Sequence, residues 1–174
     1  MLITVDLSVP FPRSLVYITY RDKLLDLVSS LPNVRSVEAR SRRQENGLIY
    51  SVNVWHGGGQ IPLELKTLSG KDLLSWTEYN TWDESNFTHQ WRIETHACTK
   101  AVFCQGQDCF WEDNGMTRIE TRGELKIAPE HLDDFPQFLQ GRIASIIENF
   151  LGNKIILNLR QMSLEVARYL KHTV

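Results

Sequence analysis

Met116-Thr117-Arg118-Ile119-Glu120-Thr121-Arg122-Gly123-Glu124-Leu125-Lys126-Ile127 alternates more cleanly than any other part of the chain. Arg118, Glu120, Arg122, Glu124 and Lys126 make one face, and Ile119, Thr121, Gly123, Leu125 and Ile127 make the other. A period of two with one charged side predicts a strand that is wet on one face and covered on the other. Opposite charges on the wet face can pair across strands, at a modest ~0.2–1 kcal/mol each. The cover for the dry face follows in the chain. Pro129 ends the strand, and Pro136 fits the first turn of a helix. Leu139, Ile143, Ile146, Ile147, Phe150 and Leu151 share a stripe that Ile155, Leu159, Met162, Val166, Tyr169 and Leu170 continue. This spacing predicts one long helix over about residues 136–171. Gly141 and Gly152 interrupt it without capping logic, at about 1 kcal/mol each relative to Ala. Such glycines allow close approach to a sheet or a slight bend.

Upstream of residue 116 the pattern is mostly that of strands. Asp113-Asn114-Gly115 and Glu45-Asn46-Gly47 carry the Asn-Gly pair of a type I′ turn. They predict hairpins joining Ala101–Trp111 to 116–127 and Val34–Arg43 to Leu48–His56. Leu73–Trp82 and Phe87–Thr95 flank the polar turn Asp83-Glu84-Ser85-Asn86, and residues 63–68 read as a further short strand. At the start, Ile3, Val5, Leu7 and Val9 alternate with Thr4, Asp6 and Ser8, so residues 2–9 form a half-buried strand. Pro10 and Pro12 end it. Ser14 is in position to cap a helix over residues 14–31, which Pro32-Asn33 stops.

Composition excludes several classes. Lys and Arg number 19 against 21 Asp and Glu, and the charge is evenly scattered. A dedicated nucleic-acid binder would show a basic face, so none is expected as a partner. Arg40, Arg42 and Arg43 read as a solvated strand end. No stretch approaches 18 apolar residues, so no integral membrane segment is expected. Five Trp, five Tyr and seven Phe are too many for a disordered chain. The opening residues lack the basic region and cleavage site of a secretory signal, and the three cysteines are an odd count. Both point to the cytoplasm and free thiols. Cys98, Cys104 and Cys109 are spaced C-x5-C and C-x4-C, unlike the close pairs of structural zinc sites. No metal and no cofactor are expected.

The order of elements gives an architecture. Successive antiparallel strands form one sheet through short connections. Its dry face needs a cover, and only the C-terminal helix is long enough. A curved sheet wrapped around one helix leaves space between them, and the small Thr121 and Gly123 are expected to enlarge it. The reading is an α+β fold with an internal apolar cavity.

This order resembles the START-like or Bet v 1-like superfamily, also called SRPBCC, with its helix-grip fold. The resemblance covers nearly the whole chain, 1–174, as a single domain. It rests on Val9-Pro10-Phe11-Pro12 leading into the first helix, Leu31-Pro32-Asn33-Val34-Arg35-Ser36-Val37-Glu38 entering the second strand, Trp91-Arg92-Ile93-Glu94, the strand Thr117–Leu125 and the long final helix. Within the superfamily the chain looks most like bacterial domains of unknown function. The resemblance implies a curved seven-stranded antiparallel sheet around the C-terminal helix. It also implies a deep hydrophobic pocket of the kind that holds lipids, sterols, polyketides or hormones. Some members are cyclases or hydroxylase subunits.

Candidate site residues follow from the phase of the strands. On residues 87–95 the exposed face carries Gln90, Arg92 and Glu94, so His89, Trp91, Ile93 and Thr95 point inward. On residues 73–82 either Trp76, Glu78 and Asn80 point inward, or Ser75, Thr77 and Tyr79 do. Trp76, Trp82, Trp91 and Trp111 all lie in this strand-rich middle and are either pocket walls or core packing. His89 is the first choice for a polar group that orients a ligand, and an inward Glu78 would give it an acidic partner. Trp91, His89, Ile93, Thr121, Ile143, Ile147 and Leu151 are the expected ligand-binding residues, and Trp91 is expected to matter more than Trp55. Gly57-Gly58-Gly59 lacks the pattern of a phosphate loop and reads as a mobile or flexible connection beside the cavity. No nucleophile elbow supports Ser/His/Asp catalysis. The expected function is binding of an apolar or amphipathic small molecule, lipid-like or polyketide-like, by a monomer or homodimer. The alternatives are a cyclase- or dehydratase-type enzyme acting on such a ligand, and a non-catalytic interaction protein with a filled cavity.

Overall fold

The computed structural model describes residues 1–68 and 73–174. The order is strand β1 (Leu2–Val9), helices α1 (Arg13–Asp22) and α2 (Leu24–Val28), strands β2 (Val34–Glu45), β3 (Leu48–Gly57), β4 (Ser75–Asp83), β5 (Thr88–Thr95), β6 (Val102–Asp113) and β7 (Met116–Ile127), and helix α3 (Gln137–Thr173). The seven strands of the described residues make one antiparallel sheet in the order β1-β7-β6-β5-β4-β3-β2. The expected seven-stranded sheet with its long C-terminal helix is thus present.

Both Asn-Gly hairpins form as read. Asn46 and Gly47 have φ of 52° and 79°, and Asn114 and Gly115 have 51° and 80°. Two consecutive positive φ values define the type I′ turn, whose twist matches the strands it joins. On β7, Ile119 and Leu125 are buried and Arg118 is exposed. The charged face pairs partly along its own strand, Arg118 with Glu120 at 3.0 Å and Lys126 with Glu124 at 2.9 Å. Arg122 reaches across to Asp6 of β1 at 2.7 Å.

Two expectations are corrected. The segment 14–31 is not one helix, because the chain turns at Lys23 between α1 and α2. Thr19 Oγ1 donates to the Leu15 carbonyl at 2.8 Å, a side-chain bond that loosens a helix from within. The turn lets Val16 and Tyr17 pack against Trp82 and Phe110, while Val28 packs against Trp55. Ser14 makes no cap, and α1 starts directly behind Pro12. Residues 63–68 form no strand either: Leu63–Leu65 is a 3-10 turn. Pro62 starts it, and Leu65 and Leu68, three residues apart, both reach the core. That spacing suits a three-residue period better than alternation.

Helix α3 runs unbroken for 37 residues, about 55 Å at 1.5 Å per residue. A Cβ at Gly152 would lie 2.3 Å from the Met1 sulfur, so the glycine admits that side chain. The helix is not buried evenly. Ile143, Ala144 and Ile147 are buried before Gly152, and Ser163, Val166 and Leu170 after it. From 153 to 162 no residue is fully buried. The buried apolar residues correspondingly fall into three clusters among the described residues, around Leu125 and Ile147, around Tyr17 and Phe110, and around Trp55. The middle of the helix passes over the place where these clusters do not meet.

Candidate functional site

That place is a cavity of about 170 Å³ between the sheet and α3, bordered by the α1–α2 segment. Its lining is mainly apolar. Trp55, Trp76, Trp82 and Trp91 give it flat walls, and Leu159 and Met162 cover it from the helix. Trp55 and Trp76 stack with their centroids 5.6 Å apart and planes 8° from parallel. Trp111 points to the other face and is exposed. On β4 the register places Trp76, Glu78, Asn80 and Trp82 on the cavity side, which settles the phase of that strand.

A hydrogen-bonded chain crosses the sheet beneath this apolar space. Trp55 Nε1 donates to Glu78 Oε2 at 2.9 Å, and Asn80 Nδ2 donates to the same oxygen at 3.2 Å. His89 Nε2 lies 2.7 Å from Asn80 Oδ1, and His89 Nδ1 lies 2.8 Å from Asp108 Oδ2. Thr121 Oγ1 donates to Asp108 Oδ1 at 2.6 Å. Strand register builds the row: His89 pairs with Asp108, and Asp108 with Thr121. The Glu78 carboxylate draws the Asn80 amide nitrogen toward itself, which leaves the amide oxygen facing His89. Both ring nitrogens of His89 thus have an oxygen within hydrogen-bond distance, so the imidazole is held at both ends. Trp82 lies flat against that ring, with centroids 3.7 Å apart and planes 6° from parallel. His89 and Asp108 are both buried, and buried polar groups are tolerated when they are hydrogen-bonded, as these are.

Glu78 does face inward, but it does not pair directly with His89. Asn80 stands between them, and Asp108 is the acid on the imidazole. The signal for Asp108 lay in its phase: on β6 it alternates with Cys104 and Phe110, both buried, so an aspartate falls on the covered face. Of the expected ligand-facing residues, His89, Trp91, Ile93 and Leu151 line the cavity. Thr121, Ile143 and Ile147 are buried outside its lining. Thr121 holds Asp108, while Ile143 and Ile147 pack in the core with Ile3 and Val5. Trp55, expected to matter less than Trp91, lines the cavity as well.

Gly123 does not enlarge the cavity. A Cβ there would lie 3.0 Å from Trp91 Cη2, and one at Gly106 would lie 2.3 Å from Trp91 Cζ2. The two glycines, direct partners across β6 and β7, form a slot that the Trp91 indole fills. Beside the cavity, Gly58 N donates to the Asn33 carbonyl at 2.9 Å, and Lys154 Nζ of α3 donates to the Gly58 carbonyl at 3.0 Å. The glycine loop is thereby tied to the helix. Cys104, on the cavity wall, has its thiol pushed up to about 12 by burial, so it serves as a small apolar group. Among the described residues no group of three or more His, Cys, Asp or Glu is placed to hold a metal ion. Among the same residues no helix is long and apolar enough to cross a membrane.

No protein-family model matches the chain, and no curated protein does. Solved structures do. TTHA0849 from Thermus thermophilus superposes with a TM-score of 0.68 at 16% identity, covering 100% of both chains. The Zhui aromatase/cyclase from a Streptomyces species gives 0.67 at 17% identity, over 98% of this chain and 95% of that one. Ara h 8.0201 gives 0.61 at 12% identity, over 99% of each. At such identities the likeness speaks to the fold. A seven-stranded antiparallel sheet with one long C-terminal helix, matched over nearly the full length by these structures, is the helix-grip fold of START-like and Bet v 1-like proteins, and this chain has it.

Proposed function

We propose that the protein binds an apolar or amphipathic small molecule in the cavity between the sheet and α3. The observation that carries this reading is the half-buried middle of α3. Over residues 153–162 the helix spans the sheet without closing onto it, and Ile155, Leu159 and Met162 line the cavity beneath. Apolar side chains left facing a cavity gain from a ligand about 25 cal/mol per Å² of apolar area removed from water. A cavity of about 150 Å³ takes up benzene, so about 170 Å³ suits a compact ring-sized body with any tail running toward the mouth. Full-length likeness to an aromatase/cyclase supports the same reading at the level of the fold.

Tryptophan fluorescence tests it. Four of the five tryptophans line the cavity, so binding of flat aromatic or lipid-like molecules is expected to change the emission in a saturable way. Emission unchanged across such a panel would count against the reading.

A second reading, an acid–base enzyme of cyclase or dehydratase type acting on such a ligand, is favoured by one observation. Acid–base chemistry needs at least two polar groups converging on one place, and Glu78, His89 and Asp108 all reach this cavity. Under this reading His89→Ala abolishes turnover of a bound ligand while leaving binding measurable.

A further inference from the structure

The polar chain beneath the cavity is saturated everywhere except at one end. Both nitrogens of His89, both oxygens of Asp108 and both amide atoms of Asn80 have partners. Glu78 accepts two hydrogen bonds, both at Oε2. Among the described residues Oε1 has no protein partner, and Glu78 lines the cavity. A carboxylate has about four lone-pair sites, so the unused oxygen is a competent acceptor.

A second side chain stands beside it. Asn53 of β3 is the direct register partner of Glu78 and lines the same cavity. It is only 7% exposed, yet its amide has no hydrogen-bond partner among the described residues. The amide belongs to the cavity wall, so a bound molecule can supply the partner that the protein does not. An unused carboxylate oxygen and an unused amide therefore sit side by side under aromatic walls.

The geometry points to a ligand that carries a hydroxyl on a flat ring, a phenol-like group, seated between Glu78 and Asn53. A hydroxyl donates one hydrogen bond and accepts another, which is what this pair lacks: the hydroxyl donates to Glu78 Oε1 and accepts from Asn53 Nδ2. A ligand carboxylate would meet the Glu78 carboxylate and is disfavoured there. A methyl in place of the hydroxyl would leave both protein groups unpaired. The ring itself has Trp55, Trp76 and Trp82 to lie against. This inference rests on the cavity reading above and adds to it the chemistry of the ligand's polar end.

The test uses three ligands of one shape, 2-naphthol, 2-methylnaphthalene and 2-naphthoate, with the full chain titrated into each by calorimetry. The expected order is 2-naphthol tightest, by about tenfold or more over 2-methylnaphthalene, as for a hydrogen bond to a charged group, with 2-naphthoate weakest. Glu78→Gln and Asn53→Ala are each expected to erase most of the 2-naphthol advantage while 2-methylnaphthalene still binds. The wild-type comparison stands even if a variant fails to fold. Equal affinities for 2-naphthol and 2-methylnaphthalene would overturn the hydroxyl assignment and leave the cavity reading in place. Tightest binding by 2-naphthoate would do the same. Binding by none of the three would overturn the assignment, and the cavity reading would then be judged on co-purified or lipid-like ligands.

Discussion

His89 Nδ1 and Asp108 Oδ2 lie 2.8 Å apart, and the two residues are direct partners across β5 and β6. Neighbouring strands thus bring an imidazole and a carboxylate together on the covered face, where each makes the other's burial tolerable. Removing one partner leaves an uncompensated buried group. Asp108→Ala is expected to cost about 3–5 kcal/mol in denaturant unfolding. A loss below about 1 kcal/mol, the scale of an exposed pair, would mean that the pair is hydrated rather than buried.

The slot beneath Trp91 gives a sharper test of packing. At Gly106 even a methyl group would meet Trp91 Cζ2 at 2.3 Å and the Arg122 carbonyl at 2.8 Å. Gly106→Ala is expected to destabilise by about 1–3 kcal/mol and to shift tryptophan emission as the indole is displaced. Unchanged emission and stability would show that Trp91 does not lie across this glycine.

The two faces of β7 differ in kind. Ile119→Ala or Leu125→Ala is expected to cost about 2–5 kcal/mol through cavity creation. Single Ala replacements of Arg118, Glu120 or Arg122 are expected to cost less than about 1 kcal/mol, because exposed ion pairs are weak. The reverse ranking in urea melts would invert the faces assigned to the strand.

Acid stability depends in part on Asp22. A hydrogen bond from Arg21, with a second from Arg42, holds its carboxyl below the usual carboxylate range against the opposing effect of burial. A group whose folded pKa is depressed contributes stability above its unfolded value, about 3.9 for Asp. That contribution is lost as pH falls through the folded value. Asp22→Asn is therefore expected to be less stable than wild type at pH 7, with the gap narrowing below about pH 4. A gap that is constant or widens on acidification would contradict the assignment.

Much of this fold was legible because it is local. The alternation over 116–127, the two Asn-Gly turns and the stripe along α3 each depend on residues close in sequence, and each formed as read. The kink at Lys23 and the 3-10 turn at Leu63–Leu65 were not legible, since both are set by which distant cluster a side chain must reach. The inward phase of β5 was readable from its own alternation. That of β4 was not, because both of its faces carry aromatic and polar residues. The Glu78–Asn80–His89–Asp108 chain lies deeper still. It exists only through the register of neighbouring strands, and no spacing within one strand encodes it.

Whether the space under α3 holds a small molecule is read out by native mass spectrometry of the wild type beside a cavity-filling variant. Leu159 faces the cavity from the half-buried stretch of the helix, so Leu159→Trp places an indole where the ligand would sit. Wild type is expected to carry a co-purified or added apolar molecule as a discrete mass increment, and Leu159→Trp is expected to lose the increment while keeping its thermal stability. A wild type that flies only at its bare mass after exposure to aromatic and lipid-like ligands would contradict the cavity reading, as would a Leu159→Trp protein that binds them as well as wild type does.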